Sequence, residues 1–170
     1  INRNTDGQIA GDTIQTRFYA VDKYWNVTPS SSPIVNITTS DPYDVDTGTK
    51  TLAASTATIN IIMTTAGNQT ATADGAAVAD TSDAISISPK PSDRLLAVLP
   101  GESRVQGKYT AAPFGKMGSV SQIFAGETFD GDVYAVDEFY NLDTSSKKNR
   151  NYFTWICFSS GHIHTAFHFS

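Results

Sequence analysis

The 170-residue chain has little of what defines several common protein classes. Cys157 is its one cysteine, so no disulfide can form within the chain, and no cysteine spacing matches a structural zinc site. No apolar run approaches the roughly 18 residues that a membrane helix needs. The first residues also lack the apolar core of a signal peptide. We therefore expect a fold held by packing, no membrane insertion by this segment, and any secretion signal outside it.

Charge is also scarce, at 17% of residues, and the net charge is −5. The 12 lysines and arginines are scattered along the chain, apart from Lys147, Lys148 and Arg150. A phosphate-binding surface needs a continuous basic stripe, which this distribution does not supply. The composition therefore predicts no nucleic-acid partner.

The usual catalytic motifs are missing as well. No serine lies in a Gly-x-Ser-x-Gly elbow, and no glycine-rich phosphate loop occurs. Cys157 lies in an apolar run, where a thiol is typically buried and inert. We expect the protein not to be an enzyme and to need no cofactor.

What the sequence does contain is a series of short runs with β-branched or alternating apolar residues, separated by Pro, Gly, Asp and Asn. They lie at 14–21, 34–38, 56–63, 69–73 and 84–88. No segment keeps a period of 3.6 residues, so no helix is predicted. Several short strands divided by turns indicate an all-β sandwich. Its core is expected to include Ile14, Phe18, Ala20, Ile59 and Ile61.

An internal repeat relates two parts of the chain. Residues 10–26 align without a gap to residues 125–141, at an offset of 115 residues, the separation of Asp22 and Asp137. Eight of the 17 aligned positions are identical, where average composition gives about one by chance. The repeat predicts two related structural units.

Short motifs follow one another in a fixed order through the first half of the chain. They are Ala-Gly-Asp-Thr at 10–13, Phe-Tyr-Ala-Val-Asp-Lys-Tyr-Trp-Asn-Val-Thr at 18–28, Ile-Thr-Thr-Ser-Asp-Pro at 37–42, Gly-Thr-Lys-Thr-Leu at 48–52 and Thr-Thr-Ala-Gly-Asn-Gln-Thr at 64–70. This order resembles tandem bacterial immunoglobulin-like (Ig-like) repeats of large cell-surface proteins, loosely of the invasin and intimin type. The resemblance spans residues 8–90 and resumes at 94–103 and 125–141. It implies antiparallel Ig-like β-sandwiches in an extracellular strut, spacer or adhesin.

The resemblance also predicts the domain boundaries. Residues 1–90 would form an Ig-like sandwich that lacks its opening strand. Residues 91–124 would hold the opening strand of the next repeat, with the run Leu95–Gly101 buried on both sides, followed by a long irregular connection. Residues 125–170 would be an incomplete second repeat with a divergent tail.

The chain is thus expected to be out of phase with its own repeat. Two explanations remain open. The segment is a window of a longer polypeptide, or its missing strands come from a neighbouring chain, as in donor-strand assembly. The expected partners are accordingly neighbouring Ig-like repeats or identical subunits.

The repeat carries a turn motif in both copies, formed by Asp22, Trp25 and Asn26 and by Asp137, Tyr140 and Asn141. Asp and Asn four residues apart after a strand typically accept and donate hydrogen bonds within a turn, and the aromatics would cap the core. We interpret the motif as structural. Exposed aromatics at the end of a sandwich are also suited to stacking on sugar rings, which keeps glycan binding as an alternative.

The sequence also contains two candidate metal sites. Asp41, Asp44 and Asp46 bring three carboxylates into one loop, the ligand type that calcium prefers, although a solvated acidic loop is the default interpretation. In the tail, His162, His164 and His168 share one face if the segment is a strand, which is a weak transition-metal pattern. Surface histidines without a ligand are the simpler interpretation.

The favoured function is a non-catalytic structural module of a bacterial surface protein: a spacer, stalk or filament subunit. The alternative is a carbohydrate-binding module or a host-receptor adhesin. A strong glycan ligand would favour the alternative, and self-association through sheet edges would favour the structural role.

Overall fold

The computed structural model describes residues 7–29, 31–45, 47–75, 78–143 and 151–156, the last range as backbone only. All regular structure in these residues is β, which confirms the predicted all-β class. The strands are β1 Gln8–Ile9, β2 Thr13–Tyr19, β3 Ile34–Thr39, β4 Gly48–Thr51, β5 Thr56–Ile62, β6 Gly67–Gln69, β7 Ala71–Gly75, β8 Asp80–Thr81, β9 Ile85–Ser88, β10 Arg94–Val98, β11 Glu102–Arg104, β12 Lys116–Gly118, β13 Thr128–Val136 and β14 Asn151–Ile156. Among the described residues, no helix has the length and apolarity needed to cross a membrane.

The chain divides into two compact units, Ile1–Ser88 and Pro89–Ser170. We call them unit 1 and unit 2. Each holds one copy of the internal repeat, because β2 belongs to unit 1 and β13 to unit 2.

In unit 1, β2 and β5 form an antiparallel pair in which Thr13 is opposite Ile62 and Tyr19 is opposite Thr56. Both strands alternate between exposed and buried side chains, as strands with one face on a core do. Phe18, Ile59 and Ile61 are buried, which confirms three of the predicted core residues. Ile14 and Ala20 are only half-buried.

The other strands of unit 1 form sheets in the orders β4-β3-β7-β8 and β1-β9-β6. Only Thr70 separates β6 from β7, and only residues 82–84 separate β8 from β9. The chain therefore passes directly between the two sheets at both places, since β7 and β8 belong to one sheet and β6 and β9 to the other. β1 pairs with β9 in parallel, and the other strand pairs of unit 1 are antiparallel. Buried Ile37 and Ile87 of these sheets belong to the core together with Phe18 and Ile61. Unit 1 is therefore sandwich-like, with its apolar side chains between layers.

In unit 2, β13 lies between β10 and β14, and β11 pairs with β12 in a small antiparallel hairpin. Leu96, Val98 and Val136 form a buried apolar cluster, with Tyr134 and Tyr140 packed against it.

One expectation about this region was wrong. The run Leu95–Gly101 is not buried on both sides, because Leu95 is 75% exposed whereas its neighbour Leu96 is 5% exposed. Residues 102–121, for which little regular structure was expected, contain the short β11–β12 hairpin.

The two repeat copies have the same local structure. Gly11 and Gly126 have positive φ angles of 80° and 89°. In both copies the residue after the glycine donates its N–H to a carbonyl three residues earlier, Asp12 to Ile9 and Glu127 to Phe124, each at 3.1 Å. A residue with positive φ at the third position of a turn favours glycine, which explains its presence in both copies. The chain then enters β2 or β13.

Candidate functional site

The residues after β2 fold into a turn organised by the Asp22 carboxylate. Its Oδ1 accepts the backbone N–H of Tyr24 at 2.8 Å and that of Asn26 at 2.9 Å. Its Oδ2 accepts from Nδ2 of Asn26 at 3.2 Å. The Trp25 N–H donates to the Asp22 carbonyl at 3.0 Å. We call Val21–Val27 the Asp22 turn.

The residues after β13 repeat this arrangement. Oδ1 of Asp137 accepts from the N–H groups of Phe139 and Asn141 at 2.9 and 2.8 Å, and Oδ2 accepts from Nδ2 of Asn141 at 3.0 Å. We call Val136–Leu142 the Asp137 turn. Both turns have the hydrogen bonding expected of an Asp and an Asn four residues apart.

Each turn holds an aromatic residue in the left-handed backbone region. Trp25 has a φ of 67°, and Tyr140, its counterpart, has a φ of 64°. This conformation favours glycine or asparagine and is costly for a bulky residue. An aromatic side chain is therefore maintained at a position where its backbone is strained in both copies.

The hydrogen bonds of the turn also affect ionisation. The backbone N–H of Asn26 first, then its side-chain amide and the N–H of Tyr24, hold the pKa of Asp22 below its ordinary value. These donors favour the charged carboxylate. Asp22 is consequently an anion over a wider pH range than a free aspartate.

The two turns differ in burial. Trp25 is 74% exposed and Tyr24 is 71% exposed, and the whole Asp22 turn faces solvent within the described chain. Asp137 and Asn141 are both fully buried, and Tyr140 is partly buried. The same local structure is thus open in unit 1 and covered in unit 2.

Residues 89–118, which we call the covering segment, account for this difference. The backbone N–H of Lys90 donates to Oδ2 of Asp137 at 3.0 Å. Nζ of Lys90 forms an ion pair with Glu138 at 2.8 Å and lies 5.2 Å from the centroid of the Phe139 ring. The beginning of the segment therefore contacts both the carboxylate and an aromatic ring of the turn.

Aromatic contacts continue along the covering segment. Tyr109 meets Phe139 edge to face, with centroids 4.9 Å apart, and Phe114 is stacked on Tyr140 at 6.4 Å. The Arg94 guanidinium lies 5.3 Å from the Tyr140 centroid. A Cβ added to Gly115 would be 2.3 Å from the Tyr140 ring. The strained Tyr140 thus carries its ring against the backbone of the covering segment.

Backbone and side-chain hydrogen bonds join the same two elements. The Asp93 N–H donates to the Val136 carbonyl at 3.1 Å, and the Leu142 N–H donates to Oε1 of Gln106 at 3.2 Å. The Ser92 N–H donates to Oδ2 of Asp143 at 3.2 Å. The covering segment therefore satisfies polar groups of the turn as well as its aromatic faces.

β10, the strand within the covering segment, pairs with an edge of β13 whose counterpart on β2 has no strand partner among the described residues. In unit 1 the Ala20 N–H donates to the Ser55 carbonyl, on the side of β5. Because successive residues of a strand direct their backbone groups to opposite edges, the N–H and C=O of Val21 point away from β5. In unit 2 the carbonyl of Val136, the counterpart of Val21, accepts from Asp93 just before β10. In the described part of the chain, β2 has β5 as its sole ladder partner.

The proposed calcium ligands have structural roles where they are described. Asp41 is 2% exposed, and its carboxylate accepts from the N–H groups of Tyr43, Thr64 and Thr65 at 2.9, 2.5 and 2.8 Å. It also accepts from Oγ1 of Thr65 at 2.6 Å. These bonds tie the loop after β3 to the end of β5.

Asp44 accepts hydrogen bonds from Oγ1 of Thr39 and of Thr47. Asp46 and the candidate ligands His162, His164 and His168 lie outside the described residues. Within the described ranges, no three His, Cys, Asp or Glu side chains come together as a metal-binding group.

Sequence reasoning identified both turns but missed the residues that contact the second one. Lys90, Gln106, Tyr109 and Phe114 lie outside the two aligned ranges, in a stretch without strand periodicity. The apolar run at 95–101, which predicted a strand before the second copy, was the one signal for this segment.

No protein-family model, curated protein sequence or solved structure matches this chain. The functional conclusions below therefore rest on the geometry of the two turns and on the sequence motifs.

Proposed function

We propose that the chain is a non-catalytic structural module made of Ig-like β-sandwich repeats in series, acting as a spacer, stalk or filament subunit of an extracellular surface protein. One observation carries the proposal: the same turn and strand occur twice, and the second copy is covered by the segment that precedes it. In an array of such repeats, each linker would cover the next repeat. Contacts between successive repeats are what stabilise repeat proteins.

The chemistry of the described carboxylates supports a structural role. Asp22 and Asp137 hold turns, and Asp41 holds a loop against the end of β5. Each accepts several N–H donors, so its charge organises the backbone. The extracellular location rests on the resemblance of the sequence motifs to surface-protein repeats.

Negative-stain electron microscopy of the purified chain tests this proposal. A structural module with an open sheet edge should form bead-chains or fibres. Monodisperse single particles that bind a glycan or a receptor would contradict it.

The alternative, a carbohydrate- or receptor-binding adhesin, is favoured by one observation. Tyr24 and Trp25 are adjacent and 71% and 74% exposed, and exposed aromatic rings of this kind stack on sugars. A glycan array probed with the chain and with Trp25→Ala tests this alternative. Binding that disappears in the variant would support it, and the absence of any glycan signal would eliminate it.

A further inference from the structure

We propose that the Asp22 turn and the open edge of β2 form a docking site for a linker segment with the pattern of residues 89–118, supplied by a neighbouring repeat of the same kind. This inference rests on the proposed arrangement of repeats in series. Beyond that arrangement, it specifies the surface of unit 1 that is covered, the register of the added strand and the chemistry of the incoming segment.

The features of the turn that the covering segment contacts in unit 2 are present in both copies. The turn bonded by Asp22 and Asn26 matches the turn bonded by Asp137 and Asn141 in its donors and acceptors. The two carboxylates differ in that Asp137 accepts from a fourth donor. Oδ2 of Asp137 accepts from the Lys90 N–H, whereas the bonds to the Asp22 carboxylate all come from within its own turn. An incoming backbone N–H at the position of Lys90 would complete the same set.

The strained backbone of Trp25 also indicates a binding surface. Tyr140 adopts its left-handed backbone while its ring contacts Phe114, Arg94 and the Gly115 backbone. Trp25 adopts the same backbone with a ring that is 74% exposed. Strain of this kind persists where the surrounding contacts require it and is concentrated at binding surfaces. An indole is also the best aromatic partner for a guanidinium such as that of Arg94.

The register of the β10–β13 pair specifies how an added strand would pair with β2. β10 pairs with β13 so that Leu96 is opposite Tyr134 and Arg94 is opposite Val136. At the repeat offset of 115 residues, an equivalent strand would place its leucine opposite Tyr19 and its arginine opposite Val21. Tyr19 and Val21 are 45% and 37% exposed, so this added strand would cover apolar surface as well as pair with backbone groups.

One difference between the copies specifies the partner further. Lys90 forms an ion pair with Glu138 in unit 2, but the counterpart of Glu138 in unit 1 is Lys23. A lysine at the position of Lys90 in the incoming segment would meet a like charge. The segment that fits unit 1 best therefore carries an acidic residue at that position. This acidic residue would form an ion pair with Lys23, with the charges exchanged relative to the Lys90–Glu138 pair.

Fluorescence of Trp25 provides the test, because the chain has two tryptophans and residues 89–118 contain none. The full chain with Trp155→Phe retains Trp25 as its sole emitter. A synthetic peptide of residues 89–118 should shift its emission to the blue and reduce its quenching by acrylamide severalfold. The same peptide with Lys90→Glu should bind about two- to five-fold more tightly at low salt.

A matched control peptide with Gly115→Val leaves the sequence of β10 unchanged. It removes the fit to the turn, because Gly115 has a φ of 67°, which valine rarely adopts, and an added Cβ would lie 2.3 Å from the Tyr140 ring in unit 2. It should leave Trp25 exposed. In the unsubstituted chain, hydrogen exchange provides a second readout: the peptide should slow the amides of Arg17 and Tyr19 by at least about ten-fold.

Unchanged Trp25 quenching and unchanged amide exchange at up to about 1 mM peptide would overturn the inference. So would equal binding of the Gly115→Val peptide. Protection of Trp25 that grows with protein concentration, in oligomers that excess peptide does not dissociate, would show that another part of a second chain is the occupant, contrary to the inference. Bead-chains in electron micrographs without peptide binding would retain the proposed function while refuting this docking site. Single particles that bind a glycan through Trp25 would refute the proposed function.

Discussion

The backbone N–H of Lys90 lies 3.0 Å from Oδ2 of Asp137 and gives this buried carboxylate a donor from outside its own turn. The equivalent carboxylate, Asp22, has the same donors from within its turn but is exposed. Two copies of one structural element thus differ in whether a neighbouring segment covers them. The following predictions use one copy as the control for the other.

Replacing Asp137 with alanine should strongly destabilise unit 2. The buried N–H of Asn141 and the part-buried N–H of Lys90 would lose this acceptor, at a cost of about 3 kcal/mol. Asp22→Ala should reduce stability much less, because water can replace the carboxylate at an exposed turn. Urea denaturation of both variants measures the difference. Equal losses in the two variants would contradict the proposed role of the covering segment.

The two aromatic positions should differ in how much stability they lose on substitution by asparagine, which tolerates the left-handed region. Trp25→Asn should change the free energy of unfolding by less than about 1 kcal/mol, because relief of strain offsets the small loss of buried surface. Tyr140→Asn should cost about 2 kcal/mol, because its ring packs against the apolar cluster. Guanidinium denaturation gives both values, and a larger loss for Trp25→Asn than for Tyr140→Asn would refute this account.

Acid should reveal the hydrogen bonds of Asp22. Because its pKa in the folded protein is lowered from 3.8, its contribution to stability is fully present above the unfolded pKa. That contribution is lost as the pH falls through the folded value. The difference in stability between the unsubstituted chain and Asp22→Asn should therefore be constant at neutral pH and shrink in strong acid. Carboxyl-carbon NMR titration should locate the lowered pKa, and a pH-independent difference would argue against it.

Asp41 should stabilise unit 1 without help from a metal ion. Asp41→Ala removes the acceptor for the N–H groups of Thr64 and Thr65 and should cost about 3 kcal/mol. The loss should be the same in EDTA and in millimolar calcium, because its carboxylate oxygens already accept protein donors. Thermal melts in both buffers check this point. A melting temperature that rises with calcium in the unsubstituted chain but not in Asp41→Ala would instead support the calcium site predicted from the sequence.

The sequence predicted the parts of the structure that depend on local pattern. Alternation located β2, β3, β5 and β9 to within two residues, the predicted run 69–73 overlapped both β6 and β7, and the short β1, β4 and β8 were not predicted. The repeat located both turns. The apolar run at Leu95–Gly101 was misleading, because a continuous run carries no information about which face is buried, and Leu95 proves to be exposed. The β11–β12 hairpin was missed because its strands have three residues each. The burial of Asp137 depends on contacts with residues distant from the turn in sequence, which no local pattern encodes.

The central claim is that a linker segment covers the repeat that follows it. Adding a copy of the covering segment in front of unit 1 tests this claim most directly. In a chain variant, residues 1–6 are replaced by a copy of residues 89–121, so that Gly7 follows at the position equivalent to residue 122, and Trp155→Phe leaves Trp25 as the sole tryptophan. The measurement is acrylamide quenching of Trp25. The account predicts a severalfold decrease relative to the chain with Trp155→Phe alone, reversed when the added copy carries Gly115→Val. Quenching that is unchanged by the added segment would contradict it.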